Sequence, residues 1–207
     1  MAIEAVIFDF GGVILTSPFE AFRRYEQENG LPDGFLRQLN ATNPDNNAWA
    51  KLERAEVDID GFATFFEAEA AAAGHRVDGY AVLGLLSGEL RPQMVNALRR
   101  CSERLATAMV TNNFVAGGGH IAGQMAEVLD LFDVIIESSQ TGLRKPDPAI
   151  YELVCTRLAV EPFQAVFLDD LGINLKPARA MGMTTIKVTD PDDALRELEE
   201  VVGFPLH

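Results

Sequence analysis

Five short apolar runs constrain this chain more than any other feature. They cover residues 5–8, 106–110, 134–136, 165–168 and 185–188. Each is apolar throughout instead of alternating with polar residues, as expected of a strand covered on both faces in a parallel sheet. Amphipathic segments at 121–131, 148–158 and 173–181 separate the last four runs, and another at 192–202 closes the chain. Strands alternating with helices predict βαβ units in an α/β fold with an open, Rossmann-like parallel sheet.

The stretch between the first two runs breaks this rhythm. One candidate helix covers 18–29 and stops at Gly30, another covers 60–73 and stops at Gly74, and Trp49 and Leu52 lie on a third. Phe62, Phe65, Phe66 and Glu69 share helical spacing. So long a helical insertion is more than a crossover. The expected organisation is an α/β core from 1–16 and 92–207, with a small helical cap, 17–91, inserted after the first strand. Trp49, Phe62, Phe65 and Phe66 read as the interior of that cap.

A chain of 207 residues, 48% hydrophobic, can bury a core without disulfides or structural metal. Its 17 basic and 31 acidic residues give a net charge of −14, with no basic patch, so neither nucleic acid nor a membrane surface is an expected partner. Cys101 and Cys155 lack metal-type spacing and read as free thiols of a reducing compartment. No secretory signal is recognised, and no apolar run approaches the roughly 18 residues of a membrane helix. A cytoplasmic location is therefore expected. His75, His120 and His207 show no ligand spacing, which argues against zinc. Gly117-Gly118-Gly119-His120 lacks the lysine and hydroxyl residue of a P-loop and reads as a loop entering a helix.

Open parallel sheets bind ligands beyond the carboxyl ends of their strands. There the sequence places Asp9 after the first run, Thr111-Asn112-Asn113 after the second, Lys145-Pro146-Asp147-Pro148 in a loop after the third, and Asp169-Asp170 after the fourth. Carboxylates gathered about 4 Å apart repel by on the order of 4 kcal/mol per pair at an effective dielectric near 20. Either one holds a proton or a cation lies among them. Hard oxygen donors beside a phosphate suit Mg²⁺. The Thr111 hydroxyl and Asn112 amide can donate to phosphate oxygens, and Lys145 can meet both phosphate and carboxylate. Asp9 can act as a nucleophile, since carboxylates form aspartyl-phosphates.

With these residues in order, Asp9-Phe10-Gly11-Gly12-Val13, Thr111-Asn112, Lys145-Pro146 and Asp169-Asp170 with Asn174, the chain resembles the haloacid dehalogenase superfamily, most of whose members are phosphohydrolases. The segment 166–179 looks like the N-terminal phosphatase domain of soluble epoxide hydrolase and related bacterial phosphatases. The epoxide-hydrolysing half is expected to be absent. The resemblance implies a Mg²⁺-dependent phosphatase of a small phosphorylated metabolite, with a lipid phosphate as the alternative substrate, monomeric or homodimeric. In it Asp9 is nucleophile and metal ligand. Gly11 offers its carbonyl to the metal, Asp170 binds the metal directly, and Asp169 acts through water. Thr111, Asn112 and Lys145 hold the phosphoryl group, and Asn174 orders the last loop.

One position departs from the pattern. Family phosphatases usually carry a second aspartate, the general acid and base, two residues after the nucleophile; here that position is Gly11. Such catalysis is typically worth 10²–10⁴-fold. Three resolutions are open: a cap residue substitutes, with His75 and Arg76 as candidates; the substrate has a good leaving group, such as an anomeric or acyl phosphate; or turnover is lost. Active family phosphatases with glycine here favour the first two. Rival readings are a metal-independent 2-haloacid dehalogenase, a module that binds phosphorylated ligands without turnover and, more weakly, a phosphotransferase or mutase.

Overall fold

A computed structural model describes residues 2–86, 88–113 and 122–206. Its sheet has five parallel strands, β1 (Ala5–Phe8), β2 (Ala106–Thr111), β3 (Val134–Glu137), β4 (Ala165–Asp169) and β5 (Thr184–Lys187), in the order β3-β2-β1-β4-β5. The five apolar runs are these strands. Successive side chains point to opposite faces. Val6, Phe8, Val166 and Leu168 enter one core with Leu98 and Leu198, while Ala5, Ile7, Ala165 and Phe167 enter the other with Val154 and Leu175. β1 and β4 are buried on both faces and have no polar side to show, whereas the last run, Thr185-Ile186-Lys187-Val188, alternates and leaves Lys187 exposed on β5.

Between β1 and β2 come α1 (Phe19–Glu28), α2 (Phe35–Ala41), α3 (Ala48–Glu53), α4 (Ile59–Ala72), α5 (Gly79–Gly84) and α6 (Pro92–Ser102). The rest are α7 (Ala122–Leu129), the single turn α8 (Ser138–Thr141), α9 (Pro148–Leu158), α10 (Gly172–Ala180) and α11 (Pro191–Val202). Proline opens α6, α9 and α11, where its missing N–H has no intrahelical partner to lose. Asp147 and Asp190 cap α9 and α11 by accepting backbone N–H groups.

Helices α1 to α5 enclose a third core, in which Phe62 and Phe66 stack at 5.2 Å and Trp49 approaches Phe62 at 4.6 Å. Phe65 corrects the sequence reading. One turn of α4 separates Phe62 from Phe66 and sets both inward, which leaves Phe65 on the outer surface, 43% exposed, with the Lys51 ammonium 4.2 Å from its ring. Two extended segments join this helical unit to the sheet. Leu15 and Leu90 form an antiparallel bridge, and Thr16 receives the Glu89 N–H on its hydroxyl while donating its own N–H to the Glu89 carbonyl.

No helix among the described residues is long and apolar enough to cross a membrane. Cys101 and Cys155 are buried and unpaired; burial pushes their thiols up to about 12 and about 11, which removes them as nucleophiles at neutral pH. The Gly117-to-His120 stretch lies outside the described residues.

Candidate active site

Register assembles the site. Phe8 lies beside Met109 on one side and Leu168 on the other, so Asp9, Thr111 and Asp169 leave the sheet at the same edge. The chain winds outward through β2 and β3 and then returns to lay β4 and β5 on the other side of β1. Between β1 and β4 the winding direction changes, where a crevice opens for ligands.

Three carboxylates meet in that crevice. Oxygens of Asp9, Asp169 and Asp170 all lie within 4.8 Å of one another. Asp9 and Asp169 are buried, and Lys145, 1% exposed, reaches between them: its Nζ is 2.8 Å from Asp9 Oδ1 and 2.7 Å from Asp169 Oδ2. Burial opposes the Lys145 charge, but the two carboxylates outweigh it and hold the ammonium above its ordinary value. Burial also pushes the Asp9 carboxyl well up; Lys145 works against this and Asp169 adds to it. Asp170 is pushed up to about 6 by burial and by Asp169, partly offset by Lys145 and Arg91.

Local structure fixes each side chain. Asp9 caps the wide turn Phe10–Ile14 by accepting the Phe10 N–H at 2.6 Å. Within that turn Gly12 has φ of +80°, and a Cβ there would lie 2.4 Å from Asp170 Oδ2, so only glycine fits. Gly11 differs: its φ is −71°, and a Cβ would meet nothing within 4 Å. Asp169 accepts from the Leu171 N–H and from Asn174 Nδ2, while Tyr151 donates to the Asn174 carbonyl at 2.6 Å and fixes the first turn of α10. All Asp169 lone pairs facing the protein are therefore engaged, whereas the Asp170 carboxylate is open to a ligand.

Thr111 ends β2, buried at the same edge. Asn112 stands beside Lys145. Its Oδ1 accepts the Lys145 N–H at 2.8 Å and its Nδ2 donates to the Lys145 carbonyl at 3.0 Å, with the Glu53 carboxylate near the same amide. Its side-chain amide thus clamps the Lys145 backbone.

Two residues that sequence reasoning missed complete the surroundings. Glu53, the last residue of α3, accepts from Arg144 Nε at 2.8 Å and lies 2.7 Å from Arg144 Nη2. Burial lifts the Glu53 carboxyl and Arg144 works against the lift. His75, a candidate for the missing acid, lies edge-on to Phe35 at 4.7 Å inside the helical unit. No periodicity links Glu53 to Arg144, 91 residues away.

Residues 3–182 match the haloacid dehalogenase-like hydrolase family. Bifunctional epoxide hydrolase 2 from Sus scrofa is 36% identical over 221 residues, covering 100% of this chain but 40% of that protein. Sesquiterpene phosphatase astK from Aspergillus oryzae is 28% identical over 204 residues, covering 97% of each. The same fold appears in a HAD-family enzyme from Bacteroides thetaiotaomicron, solved with magnesium and inorganic phosphate, at a TM-score of 0.60, 18% identity and coverage of 90% of this chain and 94% of that one.

Proposed function

The chain belongs to the haloacid dehalogenase-like hydrolases, and from that premise we propose a Mg²⁺-dependent phosphatase that cleaves a small phosphate monoester through an aspartyl-phosphate on Asp9. The observation that carries this reading is the Lys145 ammonium held between Asp9 and Asp169, with the Asp170 carboxylate completing the cluster. A dehalogenase that attacks carbon has no use for Asp170, whose ionisation beside Asp169 is costly without a cation. The phosphatase relative from Aspergillus oryzae, matched over nearly its whole length, supports the same reaction class, as does the magnesium and phosphate held by the Bacteroides thetaiotaomicron enzyme.

The residues fit a hard divalent cation. Three carboxylates converge, and Gly12 leaves the space beside Asp170 clear. Asp9, the Gly11 carbonyl and Asp170 would hold the ion, with Asp169 behind them. Bound Mg²⁺ supplies positive charge that offsets the developing charge on the phosphoryl oxygens. Lys145 does the same from the other side, and its contact with Asp9 aims the nucleophile. The Asp9 oxygen bonds to phosphorus as the bond to the leaving oxygen breaks. Water then attacks phosphorus, freeing phosphate and restoring the Asp9 carboxylate. The Thr111 hydroxyl donates to a phosphoryl oxygen.

Gly11 can neither protonate the leaving oxygen nor take the proton of the attacking water. Substrates whose leaving group departs as a stable anion suit this site. The acidic chain and its buried free thiols fit a cytoplasmic enzyme of small metabolites. The test is phosphate release from a panel of phosphorylated metabolites with Mg²⁺, with EDTA, and from an Asp9→Asn variant. Release that needs both the metal and Asp9 is the expected result. Release unaffected by EDTA, or persisting in Asp9→Asn, would sink the reading.

A further inference from the structure

We propose that Glu53 is a positioning residue through which the helical unit sets the placement of Lys145. The Arg144 guanidinium is committed to that unit: Nε and Nη2 meet the Glu53 carboxylate, and Nη1 donates to the Pro44 carbonyl at 2.8 Å. The next residue is Lys145, whose ammonium is committed to the sheet through Asp9 and Asp169. One short loop thus carries two adjacent cations held by opposite parts of the molecule.

Glu53 holds the loop that carries both. It pairs with Arg144, and it lies near the amide of Asn112, which holds both the N–H and the carbonyl of Lys145. From α3 the path runs through Glu53 and Arg144 to the next residue, Lys145, and so to the ammonium and Asp9. Glu53 and Arg144 side chains are 15% and 17% exposed, so the pair is shielded from water and sensitive to loss of either partner. The Glu53 carboxylate is taken up by Arg144 of the Lys145 loop, so the action assigned to Glu53 runs through Lys145. With α3 seated, the ammonium is aimed at Asp9; with α3 displaced, Arg144 loses its partner and the loop that carries Lys145 is released. The helical unit would then do more than shield the site, because its seating assembles the catalytic charge.

The consequence for turnover rests on the phosphatase reading, and the test separates the two. Full-length wild type, Glu53→Gln, Glu53→Ala, Arg144→Ala and the exchange Glu53→Arg/Arg144→Glu are treated with an amine-acetylating reagent, and Lys145 labelling is followed by mass spectrometry against the exposed Lys176 and Lys187. Wild-type Lys145, 1% exposed, should be protected. Glu53→Ala should raise its labelling about tenfold. Glu53→Gln, which keeps the shape and acceptor, should stay within about threefold of wild type.

With Mg²⁺ and p-nitrophenyl phosphate, Glu53→Ala should lower kcat about tenfold or more and change KM less. The exchange variant restores the ion pair but sets a guanidinium where the carboxylate lay near the Asn112 amide, so it should recover thermal stability without recovering kcat. Unchanged Lys145 labelling in folded Glu53→Ala and Arg144→Ala would overturn the proposal, as would full recovery of kcat by the exchange. If no phosphate ester is hydrolysed by wild type but Lys145 labelling responds as expected, the phosphatase reading falls and the positioning role stands.

Discussion

Gly11 and Gly12 are adjacent and have opposite steric requirements. A Cβ on Gly12 would strike the Asp170 carboxylate at 2.4 Å, whereas one on Gly11 would meet nothing within 4 Å. Only Gly12 has a left-handed φ, +80°. Gly12→Ala should therefore displace Asp170, weaken Mg²⁺ binding and lower kcat at least a hundredfold, as calorimetric metal titration and phosphate release would read.

Gly11→Asp should fold normally, because its φ of −71° and ψ of 128° are open to any residue. It restores a carboxyl where relatives of this family keep their acid and base. Aspartate there should raise kcat about 10- to 100-fold on alkyl phosphates, within the range of general acid–base catalysis, and little on p-nitrophenyl phosphate, whose leaving group departs without a proton. Equal gains on both substrates would show that the added carboxylate acts otherwise.

Asp170 makes the metal-free protein sensitive to pH. Its folded carboxyl is pushed up to about 6 from an ordinary value of 3.8, chiefly by burial and then by Asp169. Between those values the folded chain holds a proton that the unfolded chain has lost, so stability is present at low pH and falls as pH rises through 6. Asp9 is shifted in the same direction. Metal-free Tm should fall between pH 5 and 7. Mg²⁺ should bind more tightly over the same interval, as the proton that competes with it leaves. Asp170→Asn should flatten both trends. A metal-free Tm that climbs over this interval would contradict the arrangement.

Lys145 pairs with two buried carboxylates at once. Lys145→Met would leave Asp9 and Asp169 unpaired in the crevice, and breaking a buried pair by removing one partner costs about 3–5 kcal/mol. Part of that is recovered if a proton binds, so the stability loss, measured by urea unfolding, should be larger at pH 8 than at pH 5. Turnover should fall by about 10²–10³, the scale of losing one preorganised donor to the transition state. A variant as stable as wild type at pH 8 would show that the ion pairs contribute little.

The central strands were legible because every residue of β1 and β4 faces one helical layer or the other, so apolar side chains dominate both runs. Asp9, Thr111, Lys145 and Asp169-Asp170 were legible as positions that follow such runs, since parallel strands bring their ends to one edge. What escaped depends on contacts that no local pattern encodes. Glu53 and Arg144 meet across 91 residues. Asn112 has the right chemistry for phosphate, and nothing local announces that its amide also clamps the Lys145 backbone. Glu26, from α1, accepts the N–H groups of Gly34 and Leu36 to start α2, a cap supplied from another helix. In each case the side chain is ordinary and its partner is set only by packing.

Phe65 and Phe66 test how far neighbouring aromatics can differ. Phe66 is fully buried, stacked on Phe62 and edge-on to Trp49 at 6.0 Å. Phe66→Ala removes a ring from a packed core and should cost about 3–5 kcal/mol. Phe65 lies at the surface, where its contact with the Lys51 ammonium is worth about 0.5–1 kcal/mol. Phe65→Ala should therefore cost about 1 kcal/mol or less. Trp49 is the only tryptophan, so its fluorescence follows unfolding of this core directly. If the helical unit unfolds separately from the sheet, Phe66→Ala should shift the fluorescence transition to lower urea while the circular dichroism transition splits in two. If the two units unfold together, both signals should move by the same amount. Equal costs for the two variants would place Phe65 in the core and contradict the orientation of α4.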